Sequence, residues 1–275
     1  MIRFACGSKP VTIRMNSTAK VDNRARRVVL DGGGLITLSG EGRRRILYMD
    51  TCDPKQVWTT SHCQNQASPM LVVQNLTFAD GNSTGEDFDG GGGGAIFDRG
   101  GRLRIIDSTF TDNRCEHYGP DIGGGAVRAL SQFNNLPVYV VGTSFTENVC
   151  SNGGALSSIG VSWTVLNSRF ISNRAIGFGA NPPKAGTPGG GSGGAIYNDG
   201  DQMTLSIGGS VFMHNDAREG GGAILFVSDD RTGTMTIRES TLEDNLNAGF
   251  QSAGLPGIFF IGGRRPTIAD STLIR

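Results

Sequence analysis

Two short motifs alternate along this chain, and together they leave few ways for it to fold. "GGAI" at 93–96 returns as "GGAV" at Gly124, "GGAL" at Gly153, "GGAI" at Gly193 and "GGAI" at Gly221. Strand-like segments interleave with these and end on an anchor: "LVVQNLTF" at Phe78, "LRIIDSTF" at Phe110, "VYVVGTSF" at Phe145, "WTVLNSRF" at Phe170, "LSIGGSVF" at Phe212 and "MTIRESTL" at Leu242. After all but the first anchor an asparagine follows three residues on: Asn113, Asn148, Asn173, Asn215 and Asn245. Five residues before the anchors stand Val73, Ile105, Val140, Val165, Ile207 and Ile237. Seven before stand Leu71, Leu103, Val138, Trp163, Leu205 and Met235. Positions two apart face the same side of a strand, so these rows are expected to point inward with the anchor.

The spacing separates fixed geometry from free loops. From the GGA alanine to the next anchor the interval is 15 to 19 residues, whereas from anchor to the next GGA alanine it runs from 10 to 25. The longest variable stretch is "RAIGFGANPPKAGTPGGGS" at 174–192. Repeats this short, made of strands and turns, cannot bury an apolar face alone and must stack on their neighbours. The expected fold is an all-β parallel solenoid, with glycine at each corner where a side chain would block the turn and an asparagine ladder at each F-x-x-N site.

Composition fits a packed chain. Glycine makes up 43 of 275 residues, but Val, Ile, Leu and Phe recur throughout, which argues against collagen and simple disorder. Lys plus Arg (25) equals Asp plus Glu (25), so no broad positive field is expected for a nucleic-acid partner. No apolar run approaches the roughly 20 residues of a membrane span, and "MIRFACGSKP" shows no export signal.

F-x-x-N alternating with G-G-A-[ILV] resembles the repeat of chlamydial polymorphic outer membrane proteins and of bacterial parallel β-helix proteins of the pectin-lyase-like class. The likeness covers 71–275, and "VVLDGGGLITLSG" at 28–40 resembles the opening turns of secreted β-helices. It implies a single-stranded right-handed parallel β-helix, with 1–70 as cap and first coils and 71–275 as regular coils. The final anchor, Leu273, places the expected asparagine one residue past the end, so an incomplete last coil and a longer parent chain are expected.

The five cysteines show no C-x-x-C pair. Cys115 and Cys150 each stand five residues after an anchor, which would stack them about 5 Å apart, within disulfide reach. Cys52 and Cys63 bracket "CDPKQVWTTSHC" and could close it, with free thiols as the alternative and Cys6 left over. Two bridges would suit an oxidising, extracellular setting.

Nucleotide-binding motifs fail on context. G-x-G-x-x-A matches at 90–95, but no helical pattern follows and no Gly-Lys occurs anywhere. "GGSGGA" at 190–195 has alanine where a calcium-binding solenoid repeat needs aspartate. His62, His117 and His214 have no nucleophile-elbow motif beside them.

Glycan chemistry has more candidates. After each glycine corner the inward Ile96, Val127, Leu156, Ile196 and Ile224 leave Phe97, Arg128, Ser157, Tyr197 and Leu225 as an outward row. In it Phe97, Arg128 and Tyr197 are the candidate ligand-binding residues, through stacking or carboxylate pairing. Asp201 and Asp229 each fall six residues after a GGA alanine and are candidate hydrolytic carboxylates, although turn chemistry explains them equally well. For a lyase, Asp98, Arg99 and Arg128 are the candidates, with Glu86, Asp87 and Asp89 able to hold a Ca²⁺ ion. Otherwise no metal or cofactor is expected. The expectation is a secreted or cell-surface module, adhesin-like and non-catalytic, contacting glycans or neighbouring surfaces. The alternatives are a polysaccharide lyase or glycoside hydrolase, and a plain spacer.

Overall fold

The computed structural model describes residues 1–86, 90–179, 186–247 and 249–275. The named strands pair in parallel throughout, in three sheets. Two 3₁₀ turns, Cys63–Asn65 and Phe133–Asn135, are the named helical elements among the described residues. None of the helices there is long and apolar enough to cross a membrane.

Order within the sheets follows the chain. Strands Arg102–Ile106, Val138–Val141, Trp163–Leu166, Thr204–Gly208, Thr234–Arg238 and Thr267–Ala269 stack in succession. A second ladder holds the anchors, from Thr109–Thr111 through Ser144–Thr146, Arg169–Ile171 and Val211–Met213 to Thr241–Glu243 and Thr272–Leu273. The long strands Arg27–Ser39 and Met70–Ala79 run through both. An eight-stranded sheet carries the residues after each GGA, and a four-stranded one those after Asn148, Asn173, Asn215 and Asn245, with Arg114 after Asn113 joined to it by a single bridge. Successive returns of the chain thus stack strand on strand in the same order in all three sheets, an arrangement compatible with a parallel β-helix.

The core is the predicted one. Leu71, Val73, Leu103, Ile105, Val138, Val140, Trp163, Val165, Leu205, Ile207, Met235 and Ile237 are all buried. The anchors Phe78, Phe110, Phe145, Phe170 and Phe212 stack ring on ring, with centroids 4.4 to 4.9 Å apart. Register places like residue over like residue, and that spacing is the distance between neighbouring strands.

Asn113, Asn148, Asn173, Asn215 and Asn245 form the expected ladder. The Nδ2 of each of the first four donates to the Oδ1 of the next at 2.8 to 3.0 Å. Each also donates to the carbonyl of the preceding turn's anchor, from Phe78 to Phe212. A second ladder, not foreseen from the sequence, stands two residues before each anchor from Phe110 onward. Backbone N–H groups of Ser108, Thr143, Ser168, Ser210 and Ser240 donate to the hydroxyl one turn on, ending at Ser271. Those hydroxyls in turn donate to carbonyls two residues back. Both ladders satisfy buried corner amides that no strand partner reaches.

The first glycine of the GGA motif is needed on two counts. Gly153 has φ +50°, and a Cβ there would lie 2.2 Å from the Leu156 carbonyl oxygen. Its four counterparts share the positive φ and the same collision. Both proposed disulfides are present, Cys52–Cys63 and Cys115–Cys150, with Cα atoms 4.9 and 4.8 Å apart. Cys6 is free and exposed.

Candidate functional site

The eight-stranded sheet brings the predicted outward row into register. Tyr48, Phe97, Arg128, Ser157, Tyr197, Leu225 and Phe259 follow one another across it. This row is not, however, an open face. Phe97, Arg128 and Ser157 are at most 1% exposed, and Tyr197 is 8%. Segments from the variable stretches lie over them: Arg45 donates to the Gly92 and Gly93 carbonyls and stands over the Phe97 ring, and Arg128 donates to the Asp121 carbonyl. Alternation sets which way a residue points, whereas loop paths decide whether solvent reaches it. Phe97 is therefore packing, stacked on Tyr48 at 5.4 Å, rather than a platform open to sugars.

Two residues further along the strands the cover ends, and a pocket of about 550 Å³ opens. Its walls are Gln64, Arg99, Asp121, Arg128, Leu130, Ile159, Asp199, Gly200 and Asp229. Three candidates from the sequence, Arg99, Arg128 and Asp229, meet here. Asp121 and Asp199 join them unpredicted. Asp199 was legible as the next outward residue after Tyr197, but Asp121 comes from a variable stretch whose path no repeat fixes.

Arg128 is the best-defined group. Its Nη1 donates to Ser157 Oγ at 2.7 Å, Nη2 donates to the Asp121 carbonyl, and the buried Nε has no partner. Burial lowers its pKa to about 10, opposed by neighbouring Tyr197, Asp121 and Asp199, so it remains a cation at neutral pH. Asp199 is pushed up from the ordinary carboxylate range, chiefly by burial and further by Asp229, while the Tyr197 hydroxyl pulls the other way. Both Asp199 oxygens are engaged, Oδ2 by Tyr197 at 3.0 Å and Oδ1 by the Gly200 N–H at 3.0 Å. The Tyr197 phenol is itself raised, by burial first and then by Asp199.

The other candidates fall elsewhere. Asp201 is exposed and caps the next turn, accepting from the Asp230 N–H at 3.0 Å, so the acidic neighbour of Asp229 in the pocket is Asp199. Asp199 pairs with Val227 and Asp229 lies two residues beyond, which sets their Cα atoms about 8 Å apart from strand rise and spacing. Asp98 points inward, as alternation after the outward Phe97 requires, and is fully buried beneath Gln132, which donates to its Oδ2. Its Oδ1 has no partner, and burial raises its pKa well above the carboxylate range. It is sealed from the pocket.

Glu86 forms an ion pair with the buried Arg45 at 2.7 Å, while Asp87 and Asp89 lie outside the described residues. Among the described residues no three His, Cys, Asp or Glu side chains are placed to hold a metal ion. A larger groove of about 1110 Å³ runs over the F-x-x-N corner, past Glu41, Asp112, Arg114, His117, Glu147 and Arg174. Its charges stand on exposed positions, and several are already tied: Arg14 and Arg44 to Glu41, and Arg114 to the Gly42 carbonyl at 2.9 Å. Size alone favours that groove; a buried, fixed guanidinium beside interacting carboxylates favours the smaller pocket. His62 is exposed, and His214 sits at an exposed corner with φ +54°, 3.9 Å from Asp244.

The chain matches no known protein family, no curated protein and no solved structure.

Proposed function

We propose that this chain is a right-handed, single-stranded parallel β-helix of the cell exterior that holds an acidic glycan without cleaving it, in the manner of an adhesin. The observation carrying the reading is the pocket in which Arg99 and Arg128 stand together at the edge of the covered sheet. Arg128, held by Ser157 and the Asp121 carbonyl, supplies a fixed positive charge at the pocket wall that suits a uronate carboxylate, and the flanking aspartates suit sugar hydroxyls. The stacked, unbranched ladders support an elongated scaffold, and the two disulfides support an oxidising compartment. Engagement of both Asp199 oxygens by its own strand favours holding over proton transfer.

One observation favours hydrolysis as a second reading. Asp199 has a raised pKa, and the Asp229 backbone lies about 8 Å away by strand geometry. Inverting glycosidases pair an acid of raised pKa with a second carboxylate, and Asp199 and Asp229 place two carboxyl groups on the walls of one pocket.

The test is incubation with acidic and neutral polysaccharides, with and without Ca²⁺, scoring retention, new reducing ends and unsaturated uronates in the same samples. Retention of an acidic glycan without cleavage, weakened at least tenfold in Arg128→Leu, is the expected result. New reducing ends lost in Asp199→Asn would establish the hydrolase instead. Unsaturated products would establish a lyase, and no retention of any glycan would refute the saccharide reading.

A further inference from the structure

The segment between Cys52 and Cys63 is a disulfide-closed, hydrogen-bonded loop exposing a large aromatic residue. Inside, the Gln56 and Val57 N–H groups donate to the Asp53 carbonyl at 3.0 and 3.1 Å, and Asp53 Oδ1 accepts from the Lys55 N–H at 2.9 Å. Outside, Thr51 Oγ1 donates to the Cys63 carbonyl, and Asn23 Nδ2 donates to the Trp58 carbonyl at 2.6 Å. The backbone of Trp58 is therefore pinned from a neighbouring segment. Trp58 is nonetheless 76% exposed, whereas the second tryptophan, Trp163, is fully buried and donates to Ser158 Oγ at 2.8 Å.

The surroundings say what such a ring is suited to meet. A protein partner would be expected to want a contiguous apolar patch around it. Instead the loop that carries Trp58 is polar in sequence on either side of it, with Lys55, Thr59, Thr60, Ser61 and His62. Its Asp53, Lys55 and Gln56 line one pocket of about 480 Å³, and Gln64, just past the disulfide, lines the Arg99–Arg128 pocket. A single flat apolar surface among hydrogen-bonding side chains is the complement of a pyranose, whose ring face is apolar and whose rim carries hydroxyls.

We infer that the disulfide-closed loop presents Trp58 as a stacking platform for a pyranose ring of the glycan held at Arg99 and Arg128. The inference rests on the saccharide reading of that pocket, and it adds the residue that recognises an uncharged part of the ligand. Pinning the loop beforehand lowers the ordering cost of binding.

The native chain is titrated with oligogalacturonides of increasing length, following tryptophan emission and acrylamide quenching. Buried Trp163 serves in the same sample as a reporter of the intact fold. Saturable protection of the quenchable component is expected in the native chain, and calorimetry, which needs no fluorophore, should show affinity falling about tenfold in Trp58→Ala and largely kept in Trp58→Phe. Binding that depends on Arg128 but leaves quenching and the Trp58→Ala affinity unchanged would overturn the platform and leave the pocket reading intact. Absence of binding to native protein would remove both. Protection of Trp58 that follows protein concentration without any sugar would assign the ring to self-association and overturn the inference.

Discussion

Asn148 lies inside the asparagine ladder, and Asn148→Asp tests whether that ladder is held by donors or by shape. Its Nδ2 donates to the Phe110 carbonyl at 3.0 Å and to Asn173 Oδ1 at 2.9 Å; its Oδ1 accepts the Asn113 N–H and Nδ2 at 3.1 and 2.9 Å. Aspartate keeps the acceptor and the volume but turns the other end into an oxygen facing two oxygens. Protonated, it restores one of the two donations, leaving a cost of about 1–3 kcal/mol for the other. Ionised, it restores neither. Burial and two facing acceptors therefore raise its folded pKa above the unfolded value of about 3.9. The unfolded chain then binds fewer protons, so stability falls as pH rises from that value, by about 1.4 kcal/mol per pH unit at most. If the folded group stays protonated to about pH 7, the further loss is about 4 kcal/mol, comparable with the whole stability of a marginal domain. Urea denaturation at about pH 4 and pH 7 measures it, with Asn167→Asp at an exposed corner as control. Equal losses at both pH values, or a loss below about 0.5 kcal/mol at pH 7, would refute the donor argument.

Other perturbations probe different parts of the fold. Gly153→Ala is expected to cost more than about 2 kcal/mol, since positive φ and the Leu156 carbonyl act together, whereas Gly160→Ala, with φ +67° and open space, should cost about 1–2; urea midpoints compare them. Removing the Cys115–Cys150 bridge by a double alanine change should destabilise by up to about 4 kcal/mol for a loop of 35 residues, read by denaturation with and without reductant. Asp98→Asn should flatten the stability–pH profile. In the native chain the raised Asp98 pKa makes stability fall as pH rises above the ordinary aspartate range, and the neutral isostere removes that slope. On the acid side, Asp230 is drawn down to about 2 by the Thr232 N–H, the Thr232 hydroxyl and Ser228, so its contribution is present above about pH 4 and fades as pH falls toward 2; Asp230→Asn should remove that fall.

The repeats made most of the framework legible. An apolar residue every second position before an anchor, glycine where φ must be positive and asparagine where a corner amide needs a partner are local requirements, repeated until register is unambiguous. Equivalent positions therefore predicted the inward anchors, the asparagine ladder and the placing of Cys115 within reach of Cys150. The same logic, carried one step further, would have shown Asp98 pointing inward and the serine row two residues before each anchor.

The site depended on something repetition does not encode. The stretches between anchor and GGA vary in length, and their paths are set by packing against distant strands. Those paths bury Phe97 and Arg128, carry Asp121 to the Arg128 guanidinium, and leave Asp199 and Asp229, rather than Asp201 and Asp229, on one pocket wall. Sequence alone determined which residues face in or out, because side-chain direction in a strand is local. Only the tertiary structure decided which outward residues meet solvent, because that depends on chain segments far away in sequence folding back over the sheet.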